Sequence, residues 1–252
     1  MASFSLSDLL QPILSSGVAF TLSIHLIDMK ILFGEADLAF RATKDLDMVL
    51  IIEALTPEFG QRFWDFIGEG GYENRVKSNG KPQFYRFDKP KDPGYPFMIE
   101  LFARSESVID NDAHGCRPLH LGDEVSSLSA ILLDSDYYQL LLTGRAVLPE
   151  VTVLPHTHLV LFKAKAWLDL TERKSSGQQV PDKDIRKHKN DVARLATLLT
   201  GNETCLVPTG VLADMTLFIE AFEKDPPDIK ALGLSGVTVK DIIDVLKKVY
   251  SA

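Results

Sequence analysis

Arg41-Ala42-Thr43-Lys44-Asp45-Leu46-Asp47-Met48-Val49-Leu50-Ile51-Ile52 is the stretch on which the reading of this chain turns. Leu46 to Ile52 is its strongest strand candidate, and Asp45 and Asp47 stand where that strand begins. Residues two apart on a strand share a face, so the two carboxylates belong together. Two like charges held side by side are costly unless a cation neutralises them. Paired carboxylates are what Mg²⁺ uses, with substrate phosphates filling its remaining octahedral positions. Glu100 adds a third carboxylate, set between Met98 and Phe102 in an otherwise apolar run, and a charge there needs a partner or a metal. An Asp-x-Asp at a strand start also serves as a solvated turn or cap. Glu100 in a second strand, and Arg41, Thr43 and Lys44 just ahead of the pair, favour a metal site.

Outward from this stretch, the first part reads as mixed α/β. Val18, Phe20, Leu22 and Ile24 alternate with smaller residues, the period of a half-buried strand; His25 to Phe33 reads as a helix and Gly34 to Asp37 as a bend. Pro57, placed in a first turn, opens a helix through Phe59, Phe63, Trp64 and Ile67 that stops near Gly68 to Gly71. Phe84 to Phe87 and Phe97 to Phe102 are β-rich runs flanking the turn-dense Asp88 to Gly94, so an antiparallel hairpin is expected. Further β segments are expected around Ser129 to Leu133 and Ala146 to Val153, with a helix capped by Asp134 or Ser135 between them. From His156 the periodicity is helical: His156 to Arg173, then Asp184 to Leu199, with Thr209 and Thr238 as N-caps of two more helices. The expected organisation is an α/β (α+β) core over 1–150 and a mostly helical C-terminal domain over 151–252.

Composition bounds the function. The chain has 252 residues, 45% hydrophobic and 25% charged, which excludes a disordered tail, a collagen-like fibre and a disulfide scaffold. Its net charge of −8 argues against a surface that coats nucleic acid, while leaving room for a local basic pocket. The opening residues Met1 to Asp8 lack a basic segment, no apolar run is long enough to cross a bilayer, and Cys116 and Cys205 stand alone. A cytoplasmic enzyme or binding protein with no membrane contact is the expectation.

The ordered motifs resemble a family. Arg41-Ala42-Thr43-Lys44-Asp45-Leu46-Asp47 followed by an apolar strand is similar to the signature of minimal nucleotidyltransferases, particularly the AbiEii/AbiGii toxin-like group. Met98-Ile99-Glu100-Leu101 matches the place of that family's third metal-binding carboxylate. Leu161 to Leu170, around Lys163, and Lys183 to Val192, around Asp191, resemble its helical Lys motif and the basic-acidic helix after it.

The resemblance implies a nucleotidyltransferase-like mixed sheet core and Mg²⁺- (or Mn²⁺-) dependent transfer of a nucleoside monophosphate from a nucleoside triphosphate. Asp45, Asp47 and Glu100 would be catalytic and hold the metal. Ser23, Lys44, Lys163 and Asp191 would bind the nucleotide. The acceptor would be an RNA, such as tRNA, or a protein, and an antitoxin would be a partner. The chain departs from the pattern at the end of its first strand, where Ser23-Ile24-His25 replaces the family's Gly-Gly or Gly-Ser. Small residues there let backbone N–H groups approach a triphosphate, so a catalytically degenerate binding protein is the alternative.

Other combinations carry less. His156 and His158, two apart at a helix start, do not share a helical face and suit zinc poorly. His114 and Cys116 are loop neighbours without triad geometry, and Trp64 and Trp167 read as core anchors. Lys183 to Lys189 is a basic run that either lines a site or solvates a helix face.

Overall fold

The computed structural model describes residues 19–21, 45–50, 57–76, 82–103, 131–147 and 152–250. It is an α+β protein whose contacts divide it into two compact units. One unit holds a mixed sheet and one helix, and the other holds helices.

The strands of the sheet unit are β1 (Ala19–Thr21), β2 (Asp45–Leu50), β3 (Glu73–Val76), β4 (Pro82–Asp88), β5 (Met98–Ala103), β6 (Ala146–Val147) and β7 (Thr152–Val153). They lie in the order β3-β4-β5-β2-β1-β7-β6. The pairs β2/β5 and β1/β7 are parallel, and the other neighbours are antiparallel. Helix α1 (Pro57–Gly70) covers one face. Phe63 and Trp64 meet the Phe87 ring at centroid distances of 5.5 and 5.7 Å, and Phe87 is the register partner of Ile99, itself the partner of Leu46. Phe63, Phe87, Ile99, Met48 and Leu101 are all buried on or against this sheet.

Helix α1 ends where the glycines predict. Gly71 takes φ +61°, its N–H donates to Gly68 O at 3.1 Å, and Tyr72 N–H donates to Ile67 O at 3.3 Å. This is the paired closure of a Schellman motif, and its left-handed residue favours glycine. The β4/β5 hairpin turns through Asp92, whose Oδ1 accepts from Gly94 N–H at 2.8 Å. Its register pairs Arg86 with Glu100 and Asp88 with Met98.

The helical unit contains α2 (Ser135–Gly144), α3 (His156–Ser175), α4 (Asp182–Ala196), α5 (Thr209–Lys224) and α6 (Val239–Tyr250). Its core is built from Leu159, Phe162, Trp167, Val192, Leu195, Met215, Phe218, Ile243 and Leu246. Trp167 meets Phe218 edge-on at 5.5 Å, and Tyr137 meets Phe162 likewise at 5.4 Å. No described helix is long and apolar enough to cross a membrane.

Several expectations need correction. Ile131 to Leu133, read as a strand, are helical and lead into α2. A short apolar run is ambiguous by periodicity, and here it closes into a turn through Asp134 N–H, which donates to Ile131 O at 3.1 Å. Asp134 caps α2 as expected, its Oδ1 accepting from the N–H groups of Asp136 at 2.8 Å and Tyr137 at 3.3 Å. Ala146 to Val153 carries β structure as expected, in two short paired strands. Strand β3 was not anticipated, since Glu73-Asn74-Arg75-Val76 has little β-forming composition. Helix α4 stops at Ala196, and Thr197, Leu198 and Leu199 continue in three-residue turns. Thr209 does not cap α5: Pro208 holds that position without a side-chain bond, and Asp136 Oδ2 on α2 receives Gly210 N–H at 3.2 Å. The expected helix at His25 to Phe33 and bend at Gly34 to Asp37 lie outside the described residues.

Thr238 does cap α6. Its Oγ1 accepts from Asp241 N–H at 3.1 Å, and Asp241 Oδ2 accepts from Thr238 N–H at 2.8 Å, a reciprocal capping box. Thr238→Ala is expected to cost about 1 kcal/mol of unfolding free energy in urea titrations. Thr238→Asn should cost less, because the amide oxygen restores the acceptor.

Candidate functional site

The sheet brings the three candidate carboxylate residues onto one face. In the parallel β2/β5 ladder Asp47 stands opposite Glu100, while Asp45 stands opposite Met98. Directly paired residues share a face, and so do residues two apart, so Asp45, Asp47 and Glu100 occupy the face opposite Phe87 and α1. Neighbouring strands lie about 4.8 Å apart, which is within the span of carboxylates that share a divalent ion. Strand register places Asp45 and Asp47 by their backbone.

The same row continues into a third strand. Arg86 on β4 is the register partner of Glu100, giving the sequence Arg86, Glu100, Asp47 across β4, β5 and β2. Arg86 Nε–H donates to Glu100 Oε1 at 2.6 Å, and Arg86 Nη2 makes a close ion pair with the same oxygen. A half-buried carboxylate in an apolar strand thus has the partner its position demanded. The sequence reading missed Arg86. The signal was present, because a turn centred near residue 93 sets the antiparallel partners of Glu100 close to position 86.

Oxygen-only carboxylate donors at this spacing have the chemistry of a Mg²⁺ or Mn²⁺ site, with Asp45, Asp47 and Glu100 as the residues that would hold it. Among the described residues there is no cluster of three or more His, Cys, Asp and Glu groups around a common point. Ser23 and Lys44, expected to bind nucleotide, lie outside the described residues.

Lys163 and Asp191 belong to the helical unit, where α3 and α4 bring them together. Lys163 Nζ lies 3.1 Å from Asp191 Oδ2, and Arg194 Nη1 approaches Asp191 Oδ1 at 3.7 Å. Burial alone would raise the Asp191 carboxyl, but Lys163, helped by Lys187 and His188, outweighs it and holds the group below the ordinary range. His188, one turn before Asp191, has a buried Nδ1 with no hydrogen-bond partner among the described residues. Burial pushes its imidazole down to about 4, with the Lys163 ammonium adding to the shift and Asp191 opposing it. The pair Lys163–Asp191 is therefore a charged contact with a neutral histidine beside it at pH 7. Trp167 is buried in the core of this unit, as its reading as an anchor implies.

The histidine has a measurable consequence. The unfolded imidazole titrates near 6.5 and the folded one near 4, so the unfolded chain binds the extra proton between those values. Stability falls as pH is lowered through that window, and the His188 share is about 2–3 kcal/mol. Urea titrations at pH 7 and pH 4.5 should show a smaller difference for His188→Gln than for the wild type. Equal differences would show that His188 is not the buried neutral group described.

The chain matches no family model, no curated protein and no solved structure.

Proposed function

We propose that this protein is a Mg²⁺-dependent nucleotidyltransferase that moves a nucleoside monophosphate from a nucleoside triphosphate to a hydroxyl of an RNA or protein acceptor. The observation that carries the reading is the register of Asp47 against Glu100, with Asp45 on the same face of adjacent parallel strands. The ordered motifs of the minimal nucleotidyltransferases supply the reaction class.

Asp45 and Asp47 would hold the divalent ion at the donor phosphates, and Glu100 would complete the site and act as base or align the acceptor hydroxyl. The acceptor oxygen forms a bond to the α-phosphorus as the bond to pyrophosphate breaks, and pyrophosphate leaves with the electron pair. A divalent ion, when bound, neutralises charge on the triphosphate. Most of the acceleration in such transfers comes from positioning and charge neutralisation, which three carboxylates and a metal can provide. Lys163, oriented by Asp191, is assigned to phosphate or sugar through the resemblance alone. A toxin-like role beside an antitoxin has the same basis, and growth arrest on induction that Asp47→Asn abolishes would support it.

A second reading has its own observation. The Arg86–Glu100 ion pair already neutralises the third carboxylate. A degenerate protein of this fold would keep that pair and bind nucleotide without turnover. Transfer of label from α-labelled nucleoside triphosphates into cell extract, compared between wild type, Asp45→Asn and Asp47→Asn, separates the readings. Equal labelling by wild type and variants overturns the first. Calorimetric binding of nucleotide and Mg²⁺ without turnover supports the second.

A further inference from the structure

The Arg86–Glu100 pair is lopsided. Both guanidinium contacts fall on Glu100 Oε1, where a fork-to-fork pair would place one on each oxygen. The Arg86 side chain keeps 31% of its surface exposed against 14% for Glu100, so the guanidinium has solvent to turn into while the carboxylate is held by its strand. The exposed third of the Arg86 side chain lets solvent screen part of the attraction. Its partner Glu100 is also the register partner of Asp47 across the next ladder, so the row sets two acidic residues beside the Arg86–Glu100 pair.

We infer that Arg86 is a displaceable counter-cation: it holds Glu100 in place, yields that carboxylate to a divalent ion, and then offers its guanidinium to a phosphate oxygen of the triphosphate. The inference rests on the proposed function, since it takes Asp45, Asp47 and Glu100 as the metal ligands. It adds that one residue opposes the metal and favours the phosphate. A positive charge about one strand spacing from the ion site weakens metal binding by Coulomb repulsion. Near a protein surface, removing it should raise affinity by on the order of tenfold. A planar guanidinium that turns toward phosphate gains two parallel N–H donors to adjacent oxygens, which a lysine cannot match.

The test uses the full chain with Mn²⁺ alone, then Mn²⁺ with inorganic tripolyphosphate, and free Mn²⁺ is read by electron paramagnetic resonance. Arg86→Gln is expected to bind Mn²⁺ about tenfold more tightly and tripolyphosphate about tenfold more weakly. Arg86→Lys should lie between it and the wild type. Opposite signs are the signature, because a merely structural arginine would move both affinities in the same direction. Changes of one sign, or none, with Mn²⁺ binding still lost in Asp47→Asn, overturn the role of Arg86 and leave the carboxylate reading intact. Mn²⁺ binding that is identical in wild type and Asp47→Asn overturns the carboxylate reading, and this inference with it. Should Arg86→Gln fail to fold, the wild-type chain carries the test. Its Arg86 Nε–H resonance, assigned by its loss in Arg86→Lys, should exchange faster with water once Mg²⁺ is added. Unchanged exchange at saturating Mg²⁺ overturns the displacement.

Discussion

Asp47→Asn is expected to lower nucleotide transfer by on the order of 10²–10³-fold, the scale of losing one preorganised charge-stabilising group. The same substitution should leave the fold intact and stabilise it slightly. Asp47 stands directly opposite Glu100 in the parallel ladder, and like charges at paired positions destabilise a sheet. Removing one of the two charges, with volume and backbone preserved, should recover about 0.2 kcal/mol, the low end for such pairs, because the Arg86 guanidinium already offsets the Glu100 charge. A metal ligand predicts this combination of lost activity and gained stability. A capping or turn aspartate predicts the reverse, with activity kept and the loss of a cap worth about 1 kcal/mol. Labelled transfer measured beside urea unfolding on the same protein distinguishes them. Asp45→Asn should lose activity too, with a smaller gain in stability, because its register partner is the uncharged Met98.

Different parts of this molecule were legible in the sequence to different degrees. The hairpin of β4 and β5 was, since its turn is written in Pro90, Asp92, Pro93 and Gly94 and closes on Asp92 as turn chemistry requires. The stop of α1 at Gly71 was, because a left-handed residue is needed there. Long helices such as α3 announced themselves by period. The parallel pairing of β2 with β5 is another matter, since nothing local couples residue 47 to residue 100. Only the composition of each strand hinted that they could be neighbours. Arg86 shows how a site residue escapes notice. The β-rich run around it was read for its aromatics, and its charge gained meaning only once β4 and β5 were set in register. Lys163 and Asp191 were proposed through a resemblance, and the helices place their charged groups 3.1 Å apart, but that contact alone assigns no role in nucleotide binding. The strand at Glu73 to Val76 was illegible for a simpler reason. It is an edge strand, made by pairing with β4 and hardly by its own propensity.

The largest expected loss of stability belongs to the helical unit, and two adjacent residues on α5 make the argument. Phe218 is fully buried, with its ring edge-on to Trp167 at 5.5 Å and 5.6 Å from Phe222. Leu217 is 55% exposed. Phe218→Ala removes a large buried ring and leaves a cavity that the surrounding helices cannot fully close, at a cost of about 3–5 kcal/mol. At about 2–4 °C per kcal/mol for a chain of this size, the melting temperature should fall by on the order of 10 °C. Leu217→Ala should change stability by no more than about 0.5 kcal/mol, because it deletes surface already in water. The chain has two tryptophans, so on a Trp64→Phe background the fluorescence of Trp167 reports this unit alone. Trp167 also lies beneath Lys189, whose Nζ sits 6.0 Å from the indole ring and is tied to Asp225 Oδ2 at 2.6 Å. Opening a cavity at Phe218 should therefore shift the folded-state emission to the red as well as lower the midpoint. Equal midpoints for the two variants would mean that α5 does not bury the face described here, and the helical core would have to be redrawn around a different stripe of residues.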